Sequence, residues 1–517
     1  MWHDYILIIL PHNSHKITID LITYGIDIMK KTILSSLFLS LVAFNGQTAE
    51  QNNKCEFLWG VASAAYQVEG GWNIGGKGES NWDYFTHKGV TKHIIGKSDN
   101  GDIATNQISR DVYLKDIKLM EELGVNSYRF SINWARVLPD GQHINQEGLD
   151  YYKTLIADLH AAGIKPVITL HHWDMPLTLY KKGGWGNPES PEWFDLYAKL
   201  IFNNFAKDTP YFITFNEPEG YIFTLNPLVE NLISDVPSPY EKALSVASRA
   251  QQALAMHHIL LANALAVKRY HKNNYDGKIG IALNLSPCID TETPGSVAEK
   301  NCNTVHNEWI LDALYTGKYP ASIEKIYKDG NKNFNPSEKE MAEISEGKPD
   351  FIGVNYYAPT LVKVDTTQPF SIGNRPNPDV PPSYNGPVAP NDLLSMLVSL
   401  DKKYNHPDFI ITENGAGYGP DDEKTQNNIV EDKNRTHYLE SHIAIIEKAH
   451  DAGVNLKGYL YWSLLDNFEW LWGYQNRFGL IKVDFTSPEL KRTPKLSYYK
   501  YQQIIKSYKE KPICPKA

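Results

Sequence analysis

Short apolar runs alternate with amphipathic stretches along most of the chain. The runs are rich in β-branched and aromatic residues and lack regular polar alternation, which is typical of strands buried on both faces. The pattern predicts eight such strands: Phe57–Ala64, Ser127–Asn133, Pro166–His172, Tyr211–Glu217, Lys278–Ser286, Asp350–Tyr357, Phe409–Glu413 and Gly458–Leu464.

Between these strands, apolar residues recur at helical spacing. The clearest case is Glu147–Ala162, where Gly163 stands at the position that favours a C′ glycine. Its apolar stripe consists of Leu149, Tyr152, Leu155, Ile156 and Leu159. The same periodicity predicts helices at about Arg110–Leu123, Glu192–Ala206, Tyr240–His271, Asn391–Tyr404 and Arg435–Ala452.

Eight strand–helix units with continuously apolar strands predict an α/β fold, a single (β/α)8 TIM barrel with rim-loop insertions. The alternative is a doubly wound open sheet, but no glycine-rich phosphate turn follows the first strand. The longest irregular stretch, from Val364 to about Pro390, is predicted to be an excursion at the barrel rim.

Two of the predicted strands deliver a glutamate at their carboxyl ends. Tyr211–Glu217 is followed by Pro218, which cannot continue a ladder, and Phe409–Glu413 is followed by an Asn-Gly turn signal. In parallel barrels the active site lies at this end of the strands. We therefore expect Glu217 and Glu413 to meet at one rim and to perform acid/base and nucleophilic chemistry.

Polar and aromatic residues gather at the same end of nearly every other strand. Each alone is a weak signal, since a His beside a Trp is usually a packing pair and an Asn is often a cap. Their recurrence is harder to explain by stability alone. They include Gln67, Arg129, His172, Trp173, Asn216, Asn355, Tyr357, Trp462, Glu469 and Trp470.

Composition narrows the partners. The 517 residues are 42% hydrophobic and 21% charged, so disorder is not expected. The net charge of −9 argues against nucleic acid or anionic membrane as the main partner. The 12 Trp and 31 Tyr fit either a large aromatic core or a site that stacks sugar rings, and composition does not choose between them.

The amino terminus predicts export. Residues 29–49 combine the basic start Met29-Lys30-Lys31, an apolar run too short to span a membrane comfortably, and a small-residue exit. Residues 1–28 are interpreted as an upstream extension from a misassigned start, with an amphipathic tail as the alternative. The mature domain is then 50–517, periplasmic or secreted, and has no membrane association after signal removal.

Four cysteines in an exported protein permit two disulfides in three connectivities. Cys288 and Cys302 flank one loop and form the natural pair, which would leave Cys55 and Cys514 to join the chain ends. The alternative is four free thiols. No Cys/His cluster has metal-ligand spacing, so neither a metal nor a cofactor is predicted.

Several motifs resemble glycoside hydrolase family 1, the β-glucosidases. They are Thr214-Phe-Asn-Glu-Pro218, Ile411-Thr-Glu-Asn-Gly415, the segment from Phe57 to Gly70, and Trp462-Ser-Leu-Leu-Asp-Asn-Phe-Glu-Trp470. They occur in the family's order from about Cys55 to Lys506. The resemblance implies a (β/α)8 barrel that hydrolyses β-glycosides with retention of configuration.

The resemblance also implies roles for individual residues. Glu217 matches the general acid/base and Glu413 the nucleophile, with Arg129 keeping the nucleophile ionised and Tyr357 hydrogen-bonded to it. Asn216 matches the residue that contacts the sugar 2-hydroxyl. Further residues match the substrate-binding set: Gln67, His172, Trp173, Asn355, Trp462, Glu469, Trp470 and Phe478.

Two of these residues narrow the substrate. A carboxylate at Glu469 argues for an unphosphorylated sugar, because two negative charges would repel. An intact Glu217 favours O-glycosides over thioglycosides. The implied substrate is a terminal β-D-glucosyl unit, with galactosyl or fucosyl as possible side activities, on a β-glucoside or oligosaccharide.

The loop at 219–237 departs from the family pattern and should border the leaving group. Neutral drift and altered leaving-group choice are equally compatible with it. We hypothesise that Glu219 raises the pKa of Glu217 through its charge. Two other functions stay open: a sugar-binding barrel without catalysis, and a transglycosidase that uses the same covalent intermediate.

Overall fold

Eight parallel strands close into a barrel in which each strand pairs with the next one along the chain and the last pairs with the first. The closed ring confirms the predicted (β/α)8 architecture and excludes the open doubly wound sheet. The strands are β1 Leu58–Ala62, β2 Ser127–Ser131, β3 Lys165–His171, β4 Tyr211–Asn216, β5 Lys278–Asn284, β6 Phe351–Asn355, β7 Asp408–Asn414 and β8 Leu456–Trp462.

The structure is a computed structural model that describes residues 56–233, 246–330, 336–376, 383, 385–426 and 429–510. The predicted extension 1–28 and signal 29–49 lie outside these residues, as do Cys55 and Cys514. Within the described residues, no helix is both long and apolar enough to cross a membrane.

All eight predicted strands are present, and their central residues are buried on both faces. Several predictions extend too far at the carboxyl end. Glu217, for example, has φ 42° and ψ 55°, a left-handed conformation that cannot continue a strand. Apolar character shows where a strand runs, but the site conformation decides where it stops.

The helix at Gln146–Ala161 buries the predicted stripe against the barrel, and Gly163 after it has φ 70° as expected for a C′ residue. The other long helices are Arg110–Leu123, Ser190–Phe205, Val246–Lys272, Pro390–Lys403 and Leu496–Glu510. The amino-terminal part of the helix predicted at Tyr240–His271 lies outside the described residues.

The helix predicted at Arg435–Ala452 is in fact two helices, Lys433–Ile443 and Ile445–Asp451. Ala444 has ψ −13°, which interrupts the helical hydrogen-bond pattern between them. The remaining shorter helices are Ala65–Val68, Asn81–His87, Val90–Ile95, Trp134–Val137, Leu177–Lys181, Pro218–Gly220, Asn226–Leu232, Val297–Asn303, Trp309–Thr316, Ala321–Gly330 and Glu338–Glu346.

At the rim, a small sheet joins Cys288–Ile289, Thr360–Val364 and Ile372–Asn374. The last of these strands lies inside the predicted rim excursion. Cys288 and Cys302 form the predicted disulfide, with Cα atoms 5.8 Å apart. Two antiparallel pairs of short strands lie outside the barrel sheet: Lys424–Gln426 with Ile429–Glu431, and Ile481–Val483 with Arg492–Pro494.

Candidate active site

Glu217 and Glu413 lie at the carboxyl ends of β4 and β7, as predicted, and their residues are only 6% and 3% exposed. Glu217 leaves the β4 ladder and its N–H donates to the Ala282 carbonyl at 2.8 Å, so β5 fixes its position. After Glu413, a Cβ at Gly415 would overlap the Trp462 carbonyl oxygen, so only glycine fits that close approach.

Two donors hold the Glu413 carboxyl. Arg129 Nη1 lies 2.7 Å from Oε1, and the Tyr357 hydroxyl donates to Oε2 at 2.5 Å. Burial raises the pKa of Glu413, whereas Arg129 and the Tyr357 hydrogen bond lower it. Because a cation faces Glu413 directly, it is the first of the two carboxyls to ionise.

The Glu217 carboxyl has a different environment. Asn355 Nδ2 donates to Oε1 at 2.8 Å, and Asn284 Nδ2 lies 3.4 Å from Oε2. Burial, and secondly the charge of Glu413, raise the pKa of Glu217 to about 8. Both effects favour the protonated form of Glu217.

Asn216 contacts the residues that hold the two carboxyls, Arg129 and Asn355. Its Oδ1 accepts from Arg129 Nη2 at 2.5 Å and from Asn355 Nδ2 at 2.9 Å, and its Nδ2 donates to His172 Nε2 at 3.1 Å. Asn355 also accepts from the Thr412 hydroxyl at 2.7 Å. The amide of Asn355 is thus engaged with protein groups and positions Glu217.

A cluster of buried polar side chains lies beside this network. Gln67 Nε2 donates to Glu469 Oε2 at 3.0 Å and to Asn467 Oδ1 at 3.1 Å. Burial, then the charge of Glu413, raise the pKa of Glu469 to about 8. Within the described residues, Gln67 Oε1 and His172 Nδ1 are buried and have no hydrogen-bond partner. Leaving a buried polar atom without a hydrogen bond is unfavourable in free energy. These two atoms are therefore candidates for hydrogen bonds to a ligand.

Aromatic rings surround these atoms. His172 stacks on Trp462 with ring centroids 5.7 Å apart, and Trp173 packs against Trp470 at 4.7 Å. Trp173 and Trp470 both have positive φ, at 74° and 50°. Residues held in this region by their surroundings cluster at functional sites. Phe478, also predicted to bind substrate, packs edge-on against Tyr357 at 5.8 Å.

Sequence reasoning missed two residues of this site. Asn284 ends β5, the one strand to which no polar site residue was assigned, although the same strand-end rule applies to it. Tyr438 lies in a helix and donates its hydroxyl to the Tyr357 carbonyl at 2.7 Å, and no local pattern marks that contact. In the described part of the chain, no group of three or more acidic, His or Cys side chains is placed to hold a metal ion.

A closed barrel with two buried carboxyls at one rim, one paired with arginine and one with a raised pKa, defines a glycosidase-type enzyme. The chain belongs to Glycosyl hydrolase family 1, whose family profile matches residues 50–510. This agrees with the resemblance seen in the sequence motifs.

Curated relatives and solved structures support the assignment. The chain is 40% identical to "Beta-glucosidase A" of Enterobacter agglomerans, over 87% of this chain and 94% of the relative. It is 38% identical to "Beta-glucosidase A" of Thermotoga maritima, over 87% and 97%. A structure of β-glucosidase from Thermotoga maritima in complex with deoxynojirimycin superimposes with a TM-score of 0.78 at 36% identity, covering 87% of this chain and 97% of that one.

Proposed function

We propose that the chain is a retaining β-glucosidase in which Glu413 is the nucleophile and Glu217 the general acid/base. It releases a terminal β-D-glucosyl unit from O-glycosides, with β-galactosides and β-fucosides as secondary substrates. The observation that carries this proposal is the contrast between the two carboxyls. Glu413 faces a guanidinium and a phenol, whereas the pKa of Glu217 is raised to about 8.

In the first step, a Glu413 oxygen attacks the anomeric carbon from the α face and the bond to the leaving oxygen breaks. The proton on Glu217 moves to that oxygen, so a neutral alcohol departs. The charge of Glu413 ends in a neutral glycosyl ester. Because that charge was the second cause of the raised pKa of Glu217, the pKa of Glu217 then falls.

In the second step, the Glu217 carboxylate takes a proton from water. The water oxygen attacks the anomeric carbon and the ester bond to Glu413 breaks, which regenerates both carboxyls in their starting states. Two inversions give a β-configured product. If a sugar hydroxyl replaces water, the same step is transglycosylation.

The two buried atoms without a partner, Gln67 Oε1 and His172 Nδ1, provide hydrogen-bonding groups for the sugar. His172 Nε2 accepts a hydrogen bond from Asn216, so the proton lies on Nδ1 and this atom is a donor. Gln67 Oε1 is an acceptor. A sugar hydroxyl can both accept and donate, and therefore satisfies both atoms, while Trp462 offers an apolar face for ring C–H groups.

The roles of the glutamates are tested by azide rescue. With Glu217→Ala, azide enters the second step and we expect a β-glucosyl azide. With Glu413→Gly, azide replaces the nucleophile and we expect an α-glucosyl azide from an activated glucoside. Hydrolysis by Glu413→Gly at the wild-type rate, or an α-configured first product from the wild type, would overturn the proposal. A screen of aryl β-glucoside, β-galactoside, β-fucoside and β-mannoside ranks the sugars.

We also propose that the enzyme is exported, to the periplasm or the medium. The basic and apolar pattern of residues 29–49 supports this, and a disulfide between Cys288 and Cys302 suits an oxidising compartment. Amino-terminal sequencing of the mature protein should find a start near residue 50. A mature protein that retains residues 29–49 and free thiols would contradict the proposal.

A further inference from the structure

Glu219 clamps the segment after β4 to the end of β5. It lies two positions beyond Glu217, in the loop that departs from the family pattern. Its Oε1 accepts a hydrogen bond from the backbone N–H of Asn284 at 2.5 Å. This contact joins residues 65 positions apart, and it fixes the backbone from which the Asn284 side chain projects.

The surroundings of Glu219 disfavour its charged form. Burial, with a further contribution from Glu217, raises the pKa of Glu219 well above its usual range. Its Oε2 is buried and makes no hydrogen bond within the described residues. The contact through which Glu219 can act on the site is therefore the hydrogen bond that its Oε1 accepts from the Asn284 N–H.

Asn284 in turn faces the group proposed to transfer protons. Its Nδ2 lies 3.4 Å from Glu217 Oε2, while Asn355 already holds Oε1. A contact of this length is a weak hydrogen bond to a neutral acid, but it becomes shorter and stronger once the acceptor is ionised. Asn284 is thus placed to stabilise Glu217 in its carboxylate form, the form required in the second step.

We propose that Glu219 is a positioning residue: its carboxyl holds the backbone of Asn284 so that the Asn284 amide stays against Glu217 Oε2 and supports the base step. The inference rests on the role proposed for Glu217. Neither Glu219 nor Asn284 has to touch the substrate for it to hold.

The direction in which Glu219 variants shift the pKa of Glu217 distinguishes this proposal from an effect of charge. A charged Glu219 would raise the pKa of Glu217, so both Glu219→Ala and Glu219→Gln would lower it. The hydrogen bond from Asn284 lowers the pKa of Glu217. If Glu219 positions Asn284, it lowers the pKa of Glu217 indirectly, through that hydrogen bond. Glu219→Ala should then raise it, and Glu219→Gln, which keeps an acceptor for Asn284, should not. Other ionisable groups act on Glu217 and are unchanged in these variants: Glu413, Arg129, Glu469 and Tyr357.

The experiment uses two substrates. n-Hexyl β-glucoside needs the proton of Glu217, so the alkaline limb of its kcat/KM profile reports the pKa of that group. The leaving group of 2,4-dinitrophenyl β-glucoside is 2,4-dinitrophenolate, which departs without a proton. The kcat on this substrate therefore reports the second step. We expect Glu219→Ala and Asn284→Ala to move the alkaline limb upward and to lower kcat on the dinitrophenyl substrate about tenfold, part of the roughly 10²–10⁴-fold that a positioned base supplies.

The controls decide the outcome. Glu219→Gln should behave like the wild type, and the double variant Glu219→Ala/Asn284→Ala should be no worse than either single variant, because both act on one path. A downward shift of the limb, an unchanged limb, or equal losses in Glu219→Ala and Glu219→Gln would overturn the inference. If Glu217→Ala hydrolysed the hexyl glucoside normally, the proposed function itself would fail.

Discussion

Arg129 and Glu413 form a fully buried ion pair, with Nη1 and Oε1 2.7 Å apart and side-chain exposures of 0% and 4%. The same guanidinium donates to Asn216 Oδ1 at 2.5 Å and to Thr169 Oγ1 at 3.0 Å. One cation therefore favours the ionised form of Glu413, the proposed nucleophile, and orients the neighbouring amide. Arg129 thus links the ionisation of Glu413 to the position of the Asn216 side chain in the proposed sugar site.

Replacing Arg129 by Met should disable the nucleophile. Removing one partner of a buried pair costs about 3–5 kcal/mol, and without Arg129 the pKa of Glu413 rises, since Arg129 lowers it. We expect the acid limb of the kcat/KM profile to move to higher pH and the melting temperature to fall. The surface variant Lys268→Met, which removes an exposed pair with Glu346, should change neither. An unmoved acid limb in Arg129→Met would contradict the ion-pair argument.

The alkaline limb should report Glu217. In the proposed mechanism Glu217 must be protonated to assist departure of the leaving group, and burial and the charge of Glu413 raise its pKa to about 8. Activity on alkyl glucosides should therefore hold up to about that pH and decline above it. Trapping the glycosyl-enzyme with a 2-deoxy-2-fluoroglucoside neutralises Glu413, so the pKa of Glu217 should fall. Carbon-13 NMR of labelled glutamate, with Glu217→Gln to assign the signal, measures the change. A pKa that is the same before and after trapping would show that Glu413 does not act on Glu217.

The fold was predictable because strands such as β1 and β6 are buried along their whole length and consist almost entirely of apolar residues, so apolar runs mark them. The strand ends were less predictable. Glu217 at φ 42° and Trp470 at φ 50° adopt conformations that only the assembled rim imposes. The motifs located the two carboxyls, but the link from Glu219 to Asn284 depends on which loops face each other, and no local spacing encodes that.

Gln67 should contribute to sugar binding through its unpaired Oε1. Gln67→Met keeps the volume but removes the Oε1 acceptor together with the Nε2 donor to Asn467 and Glu469, and losing a buried hydrogen bond costs about 1–3 kcal/mol. We expect kcat/KM on a β-glucoside to fall roughly tenfold to a hundredfold. Monodeoxy glucosides identify the partner: the hydroxyl that Gln67 contacts is the one whose removal weakens the wild type but not the variant. Gln146→Leu, on an exposed helix face, is the matched control. Equal deoxy penalties in wild type and Gln67→Met would argue against the contact.

The disulfide between Cys288 and Cys302 should stabilise the rim. The two cysteines are 14 positions apart, and closing a loop of this size contributes about 3 kcal/mol in the chain-entropy account. Dithiothreitol should therefore lower the melting temperature of the wild type by a few degrees, and Cys288→Ala/Cys302→Ala should show the lower value without reductant. A further decrease on reduction of that double variant would reveal a second crosslink, as the sequence predicts for Cys55 and Cys514. If reductant left the melting temperature of the wild type unchanged, the disulfide would not contribute to stability, because the unfolded chain would then have the same freedom with and without it.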